Sequence, residues 1–435
     1  MGRILLIAFR NIFAHRRRSI LLGSAIAFVT FLLVGAFAFS SAIQNAMIDS
    51  ATTLASGHVN VGGFYKASVS MAQPTILEYA KIEEVVRKSS PHIVNVQRRA
   101  RGSFDRITSD KTSLLNAIAG IDFKQDTQLR ERLTLLEGSF EDLKAPNSAL
   151  VFKRQAEELG VSAGDRLTIS GLTTRGVQNR LDLKVGAIAK DMGGLSQIMT
   201  FVAEDSVNEL YEYRSENTGV LMLFLDDPSK TFEVASAVRT ALRAAELEVM
   251  DPEMKPFWQK KQFVEREDWT GQKLDVSTWR DEMGDLAKTV DALDFISVIL
   301  TFILLVIIAI GLWNTLLMAV RERTPEIGAL RAIGMSRGKV RLMFVSEAWF
   351  LALLSAGLGA LLAGITVAIM NAVEVGVSDP MLQFILMSDK LSFEIVPGRV
   401  ATAILFISTF AALAALWPAH RAAKIQPGAA MSHAG

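Results

Sequence analysis

The sequence predicts an α-helical integral membrane protein with four transmembrane helices and a large α/β domain inserted between the first and the second. Three observations predict it. Four long stretches are apolar, the block between the first two, Asp49 to Asp294, is polar and rich in strand and turn signals, and basic residues cluster on one side of the apolar stretches. A bilayer crossing needs about 20 mostly apolar residues. The stretches Ser19–Ile48, Phe295–Val320, Ala348–Val373 and Val400–Ala419 all reach that length. Hydrophobic residues make up 50% of the chain while charged residues remain at 21%, the mixture expected of a chain divided between membrane and water.

The N-terminal segment 1–18 carries Arg3, Arg10, Arg16, Arg17 and Arg18 and no acid. It reads as a basic amphipathic segment on the cytoplasmic side. A basic start followed by an apolar run and Ala36-Phe37-Ala38 also matches a cleaved leader. The run is too long for that, because such a leader holds only about 7–15 apolar residues, so an uncleaved span is expected. The loop 321–341 holds Arg321, Arg323, Arg331, Arg337, Lys339 and Arg341 against Glu322 and Glu326, and the tail 421–435 holds Arg421 and Lys424. The link 374–399 carries Glu374, Asp379, Asp389 and Glu394 against Lys390 and Arg399. Both termini and the 321–341 loop are therefore expected in the cytoplasm, and the large domain and the 374–399 link outside.

The outer domain, 57–275, reads as mixed α/β. Gly57 to Val61 alternates as an opening strand, Pro74–Lys88 has a helical apolar side, and Ser113–Asp122, Leu167–Ile169 and Leu181–Val185 read as strands. Val220–Leu225 is a continuous apolar strand, Ser229–Ala245 a helix capped by Ser229, and Leu247–Met250 a returning strand. The strand-rich part from about 145 to 213 reads as an insertion between two halves of one α/β subdomain. With no cysteine anywhere, the domain holds together by its core alone.

Two stalks join this domain to the spans. Trp279, Met283, Leu286, Val290 and Leu293 follow a heptad seam into the second span (276–320), and Ile43, Met47 and Leu54 continue the first (19–56). A helix packed on its own domain and a rigid rod that transmits displacement fit this spacing equally well.

In the 321–341 loop, Thr324 is placed to cap a short helix, Pro325 to occupy its first position, and Gly334 to end it in a left-handed conformation. Ser336 then caps the helix leading to the third span (342–373), and the fourth covers 400–420. Ile327, Leu330 and Ile333 fall on one side of the short helix. Such a stripe is either a knob for a soluble partner or an interfacial helix on lipid headgroups.

Other motifs carry no chemistry. Gly334-Met335-Ser336-Arg337-Gly338 matches a hydrolase elbow in letters but follows a helix rather than a strand. The five histidines are scattered without metal-ligand spacing, and no GxxxxGK[ST] phosphate loop occurs. Gly357, Gly359 and Gly364 are placed to allow close helix packing.

Asn314-Thr315-Leu316-Leu317-Met318, Arg321-Glu322-Arg323, Glu326 to Gly334 and the closing Pro418 to Pro427 resemble ABC-transporter permeases of the MacB/LolC/FtsX type. Pro325 replaces a basic residue common there, and the tail after Pro427 lacks the usual basic end. Ser56 to Val61, Phe64-Tyr65 and Trp279 are similar to the lipoprotein-releasing LolC/LolE branch. The resemblance implies a multi-pass protein of the bacterial inner membrane with a periplasmic α/β domain. It implies no catalytic, cofactor or metal residue in this chain, with ATP and magnesium held by a cytoplasmic ABC ATPase dimer. Glu326, Ile327, Leu330, Arg331, Ile333 and Gly334 would couple to that ATPase, and Phe37, Phe39, Ile43 and Met47 would line an apolar groove between the first and second spans of opposing protomers or else face lipid. Further implied partners are a second permease copy or paralogue, membrane lipid, and a periplasmic carrier or adaptor. Nucleic acid is not among them. Lipoprotein or lipid release is the activity expected first. Efflux of peptides or small molecules of the MacB kind, or FtsX-like regulation of a wall hydrolase without transport, are the alternatives.

Overall fold

The structure is a computed structural model that describes residues 2–14, 16–69, 71–173, 175–213, 217–322, 324–373, 391–424 and Gly376. Arg323, the acidic link as far as Lys390 apart from Gly376, and the closing run beyond Lys424 lie outside the described residues. The chain divides into two units. One comprises residues 1–44, 291–375 and 391–435, the other residues 45–290 and 376–390.

The first unit is helical. A short N-terminal helix (Gly2–Ala14) precedes a first long helix (Arg16–Leu54). The second long helix is Gly284–Glu322, followed by a short helix (Thr324–Ala332), the third long helix (Arg337–Val373) and the fourth (Pro397–Ala423). Among the described residues, 4 helices are long and apolar enough to cross a membrane. Their shared core is built from branched chains on the first two, such as Ile26 and Leu305, and from alanines on the third and fourth, among them Ala352, Ala356, Ala411 and Ala415. Small residues let helix backbones approach closely where lipid removes the hydrophobic gain of association. Gly359 shows the limit: a Cβ there would fall 2.1 Å from the Ala27 carbonyl oxygen. The other two glycines expected to pack closely do not act this way, since Gly357 faces open space and Gly364 meets only Ile395 at an ordinary 3.8 Å. Large apolar side chains on the second helix, including Phe295, Phe302 and Ile310, point outward as lipid-facing residues do.

The second unit is built on an 11-stranded sheet among the described residues. In chain order the strands are β1 (Val59–Ser68), β2 (Met71–Gln73), β3 (Ile93–Thr108), β4 (Ser113–Ile121), β5 (Leu135–Gly138), β6 (Ser148–Phe152), β7 (Arg166–Leu172), β8 (Gln178–Ala189), β9 (Met199–Ala203), β10 (Val220–Leu225) and β11 (Gly271–Thr278). The main path runs β11-β1-β10-β3-β4-β9-β6-β8-β5. One core covers β1, β10 and β11 with the helices Tyr79–Ser89 and Thr231–Ala244. The other gathers residues between Ala100 and Tyr211, so it begins earlier in the chain than the strand-rich run from 145.

Several boundaries differ from the sequence reading. The helix expected from Pro74 starts at Tyr79, because Ile76 is drawn into the sheet and exchanges backbone hydrogen bonds with Thr218 at 2.8 and 3.0 Å. Ser229 does not cap the helix that follows it. Asp227 accepts the Ser229 N–H at 2.9 Å and starts a single 3-10 turn first. Leu247–Met250 forms no strand: Val249 makes only an isolated parallel bridge to Leu274, flanked by the Met250 N–H to Leu274 carbonyl and Leu274 N–H to Glu248 carbonyl hydrogen bonds at 2.8 Å each. Sequence patterning gives no sign of the β1–β11 pairing, which joins residues more than 200 positions apart. Val59 lies opposite Thr278, so the residues that follow the first long helix pair with those that precede the second. The His58 carbonyl accepts the Trp279 N–H at 3.1 Å at the end of this ladder.

Candidate functional site

The short helix Thr324–Ala332 is held by the bundle on one side. Ile327 is 1% exposed and packs with Val320, Val340, Phe344 and Ala422. Leu330 is partly buried against the same cluster, whereas Ile333 is 86% exposed. The three residues expected to form one apolar stripe are thus divided between an anchor and a presented side chain. The cause is the C-terminal turn. Gly334 adopts φ 102°, the Met335 N–H reaches the Leu330 carbonyl at 3.0 Å, and the Gly334 N–H reaches that of Arg331 at 3.1 Å. This paired closure is the glycine-terminated motif expected from the sequence, and it turns the chain at Ile333. Arg331 donates to the Ala423 carbonyl at 3.2 Å, tying the helix to the fourth span, and Glu326 is exposed. Thr324 does not cap this helix. Its hydroxyl donates to the Val320 carbonyl at 2.8 Å, because the second long helix ends at Glu322 and leaves carbonyls without helical partners. The Ser336 carbonyl accepts the Lys339 and Val340 N–H groups at 3.0 and 3.2 Å as the next helix begins. Nearby, Trp313 and Trp417 stack at 4.4 Å and Arg421 lies 3.7 Å from the Trp417 ring. Aromatic and basic residues of this kind gather at membrane boundaries.

Within the α/β domain both long helices end in buried polar contacts. Met47 and Leu54 on the first are 3% and 0% exposed, and Leu286 and Val290 on the second are 8% and 2%. Trp279 is buried as well, but the second helix is not continuous from it. Thr278 and Asp281 form a reciprocal capping box over Trp279–Glu282, Met283 leaves helical geometry, and the long helix restarts at Gly284. Met283 and Leu293 are half-buried, and Ile43 in the helical unit is 7% exposed. Arg99 donates to the Leu54 and Thr53 carbonyls at 2.6 and 2.8 Å and to the Asp126 carboxylate at 2.9 Å. Arg101 donates to Glu282 at 3.1 Å, and Glu282 also accepts from Ser277 at 2.6 Å and from the Phe257 N–H at 3.2 Å. The arginine is packed on the Phe257 ring at 4.1 Å. Gly62 leaves it room, since a Cβ there would lie 2.6 Å from its guanidinium. Neither arginine was singled out from the sequence. An Arg-x-Arg pair in a strand gives no sign of acceptors that sit far away along the chain.

Beside these, Lys260 pairs with Asp275 at 2.8 Å, both nearly inaccessible. Burial pushes the Asp275 carboxyl up from its ordinary range, against the pull of Lys260. Burial likewise pushes the His58 imidazole down, and its Nδ1 accepts the Leu225 N–H at 2.9 Å. Among the described residues no group of three or more His, Cys, Asp and Glu could hold a metal ion.

The helical unit contains a cleft of about 690 Å³ between the first, second and fourth long helices. Leu33, Phe37, Val298, Leu405 and Phe406 line its apolar part, while Ser40, Asp294 and Arg399 lie on its polar part. Of the four residues expected in a groove between opposing protomers, Phe37 also lines this cleft within one chain. Phe39 stacks on Phe393 at 6.3 Å, Ile43 is buried in the helical unit and Met47 in the α/β domain.

A bundle of spanning helices with an α/β domain inserted after the first defines a membrane protein with a large domain outside the bilayer. Residues 298–427 match the family "FtsX-like permease C-terminal", so the chain carries an FtsX-like permease domain, consistent with the MacB/LolC/FtsX type. It is 31% identical over 149 residues to the macrolide export ATP-binding/permease protein MacB of Chromobacterium violaceum, covering 33% of this chain and 21% of that protein. It is 46% identical over 57 residues to the ABC transporter permease YtrF of Bacillus subtilis, 13% of each chain. It is 25% identical over 158 residues to the lipoprotein-releasing system transmembrane protein LolC of Haemophilus influenzae, 36% of this chain and 38% of that one. The matched stretches therefore span well under half of each of these relatives. The periplasmic region of MacB from Actinobacillus actinomycetemcomitans aligns with TM-score 0.29 and 10% identity over 54% of this chain and 92% of that chain, a score too low to argue a shared fold.

Proposed function

We propose that this permease transmits ATP-driven motion across a bacterial inner membrane to its α/β domain, which lies in the periplasm, and that it serves the release of lipoprotein or lipid from the outer leaflet. The observation that carries the reading is the length of two helices. Arg16–Leu54 and Gly284–Glu322 are each 39 residues. At 1.5 Å per residue each reaches about 58 Å, well beyond the roughly 30 Å of a hydrocarbon core. Both run unbroken past the points where the chain passes between its two units, at Gln44 and Asp291. Bending such a helix breaks backbone hydrogen bonds that nothing replaces in lipid, so displacement at one end reaches the other.

The short helix 324–332, with Ile333 presented and Ile327 anchored, fits as the part pushed by a separate cytoplasmic ATPase dimer. These 435 residues hold no phosphate loop of their own. A second permease copy or paralogue completes the assembly. Extraction of an acylated substrate is work that needs such coupling, because each buried CH₂ resists transfer by about 0.8 kcal/mol. The amphipathic cleft and the likeness to LolC support a lipid-anchored substrate. The likeness to MacB favours a second reading, efflux through a periplasmic adaptor.

The test is co-expression with candidate ABC ATPases of the same organism, reconstitution into vesicles, and assay of ATP hydrolysis with release of a triacylated lipoprotein to a soluble carrier. Stimulated hydrolysis with release supports the reading. Stimulation by macrolide or peptide alone supports the efflux alternative, and an ATPase that neither binds nor responds overturns both.

A further inference from the structure

We propose that the cleft between the first, second and fourth long helices holds one zwitterionic phospholipid, with its phosphate on Arg399, its amine on Asp294, and its acyl chains along Leu33, Phe37, Val298 and Phe406.

The cleft is lined by one cation, Arg399, and one anion, Asp294, and among the described residues no ion pair joins them. Each is instead held from behind by a neutral partner on the first helix. Arg399 Nη1 donates to the Ser41 hydroxyl at 3.0 Å, and Gln44 Nε2 donates to Asp294 Oδ1 at 2.8 Å. A guanidinium has five N–H donors and a carboxylate about four acceptor sites, so each keeps most of its capacity for a ligand. Opposite charges held apart over an apolar trough ask for a molecule with both signs at one end and hydrocarbon at the other. A phosphate suits the guanidinium fork, and a primary ammonium suits the carboxylate.

The geometry along the helices agrees. Asp294 and Arg399 each stand at or near the start of the apolar part of their helix, and Val298 and Phe406 follow them by four and seven residues. At 1.5 Å per residue these apolar positions lie about 6 and 10 Å deeper, as acyl chains lie below a headgroup. On the first helix, which runs the opposite way, Ser40 precedes Ser41 and Gln44, while Phe37 and Leu33 lie on the deeper side. All three helices therefore place polar groups at one level and apolar groups at the next. A cleft of about 690 Å³ also falls within the range of small-molecule sites.

The inference rests on the permease reading only through the placement of these helices in a membrane, so lipid retention and ATPase stimulation can fail separately. The test is native mass spectrometry of the full chain, released from detergent after incubation with equal amounts of dioleoyl phosphatidylethanolamine, dioleoyl phosphatidylglycerol and dioleoylglycerol. The wild type should retain one phosphatidylethanolamine ahead of the other two. Arg399→Gln should lower retention of both phospholipids about tenfold, the loss of one charge-assisted bond pair. Asp294→Asn should erase the preference for ethanolamine over glycerol and leave binding of the phosphate. Thr402→Trp, which fills the cleft and keeps both charges, should lose the lipid while retaining the wild-type melting temperature, and it decides the matter if Arg399→Gln does not fold.

Equal retention of all three lipids by the wild type would mean annular lipid only and overturn the proposal, as would unchanged retention by Thr402→Trp. The chain has no cysteine, so Phe406→Cys is a unique thiol. Disulfide formation between two Phe406→Cys chains in vesicles, with no lipid retained, would assign the cleft to a second copy and overturn it too.

Discussion

Arg99 and Arg101 stand two residues apart on β3 and hold the domain ends of the two long helices. Arg99 takes the last carbonyls of the first helix, at Thr53 and Leu54, and Arg101 takes Glu282, just before the second. Side chains at i and i+2 share one face of a sheet, so a single strand fixes both attachments. The β1–β11 pairing, which sets Val59 opposite Thr278, fixes them a second time.

The two arginines should not be equally costly to remove. Arg99→Ala leaves Asp126, whose side chain is 2% exposed, as a buried charge without its partner and uncaps the helix end. A loss of about 3–5 kcal/mol is expected. Arg101→Ala leaves Glu282 with Ser277 and the Phe257 N–H, so it should cost less than half as much. Denaturant unfolding followed by tryptophan fluorescence measures both, and equal losses would contradict the assignment.

On the short helix the two isoleucines should separate stability from coupling. Ile327→Ala empties a site that is 1% exposed and should destabilise the helical unit by about 2–5 kcal/mol. Ile333→Ser removes a side chain that is 86% exposed and should leave the melting temperature within a degree or two while lowering copurification of the ATPase. A normal yield of ATPase with Ile333→Ser would remove this residue from the coupling surface.

The spans, the strands β1, β4, β7, β8 and β10, and the glycine-ended helix were legible in the sequence because each rests on local physics: length of an apolar run, alternation, or a residue that tolerates a left-handed conformation. What was not legible is long-range. The heptad spacing from Trp279 suggests one continuous rod, yet the short helix is C-capped at Met283 and the long helix starts afresh at Gly284. Periodicity ignores caps. The stripe Ile327, Leu330, Ile333 was read as one surface because helical spacing does not say where the last turn unwinds. The anchors at Arg99 and Arg101 and the charges at Asp294 and Arg399 depend on partners that only tertiary structure brings together.

His58 predicts a specific pH dependence. Burial holds its folded pKa below the ordinary 6.5, and neutral Nδ1 must stay free of a proton to accept the Leu225 N–H. Below pH 6.5 the unfolded chain binds a proton that the folded chain refuses, so this group withdraws stability as pH falls from 6.5 toward its folded pKa. Each unit of pH in that window costs at most about 1.4 kcal/mol. His58→Gln, which offers an acceptor without titrating, should melt with a shallower loss between pH 7 and 5.5 than the wild type. Parallel curves for the two proteins would show that His58 does not contribute.

The third long helix supplies a paired test within two residues. At Gly359 an added Cβ would lie 2.1 Å from the Ala27 carbonyl oxygen, and backbone cannot yield as a flexible side chain can. Gly359→Ala should therefore force the first and third helices apart and cost about 1–3 kcal/mol. At Gly357 the same methyl meets nothing within 4 Å. There the gain in helix propensity, up to about 1 kcal/mol, acts alone, and Gly357→Ala should be neutral or stabilising. Thermal unfolding of the full chain in one detergent measures the two side by side. The opposite signs are the diagnostic, because any general effect of replacing glycine in a spanning helix would move both variants the same way. A Gly359→Ala protein as stable as wild type would mean that these two helices do not cross in backbone contact.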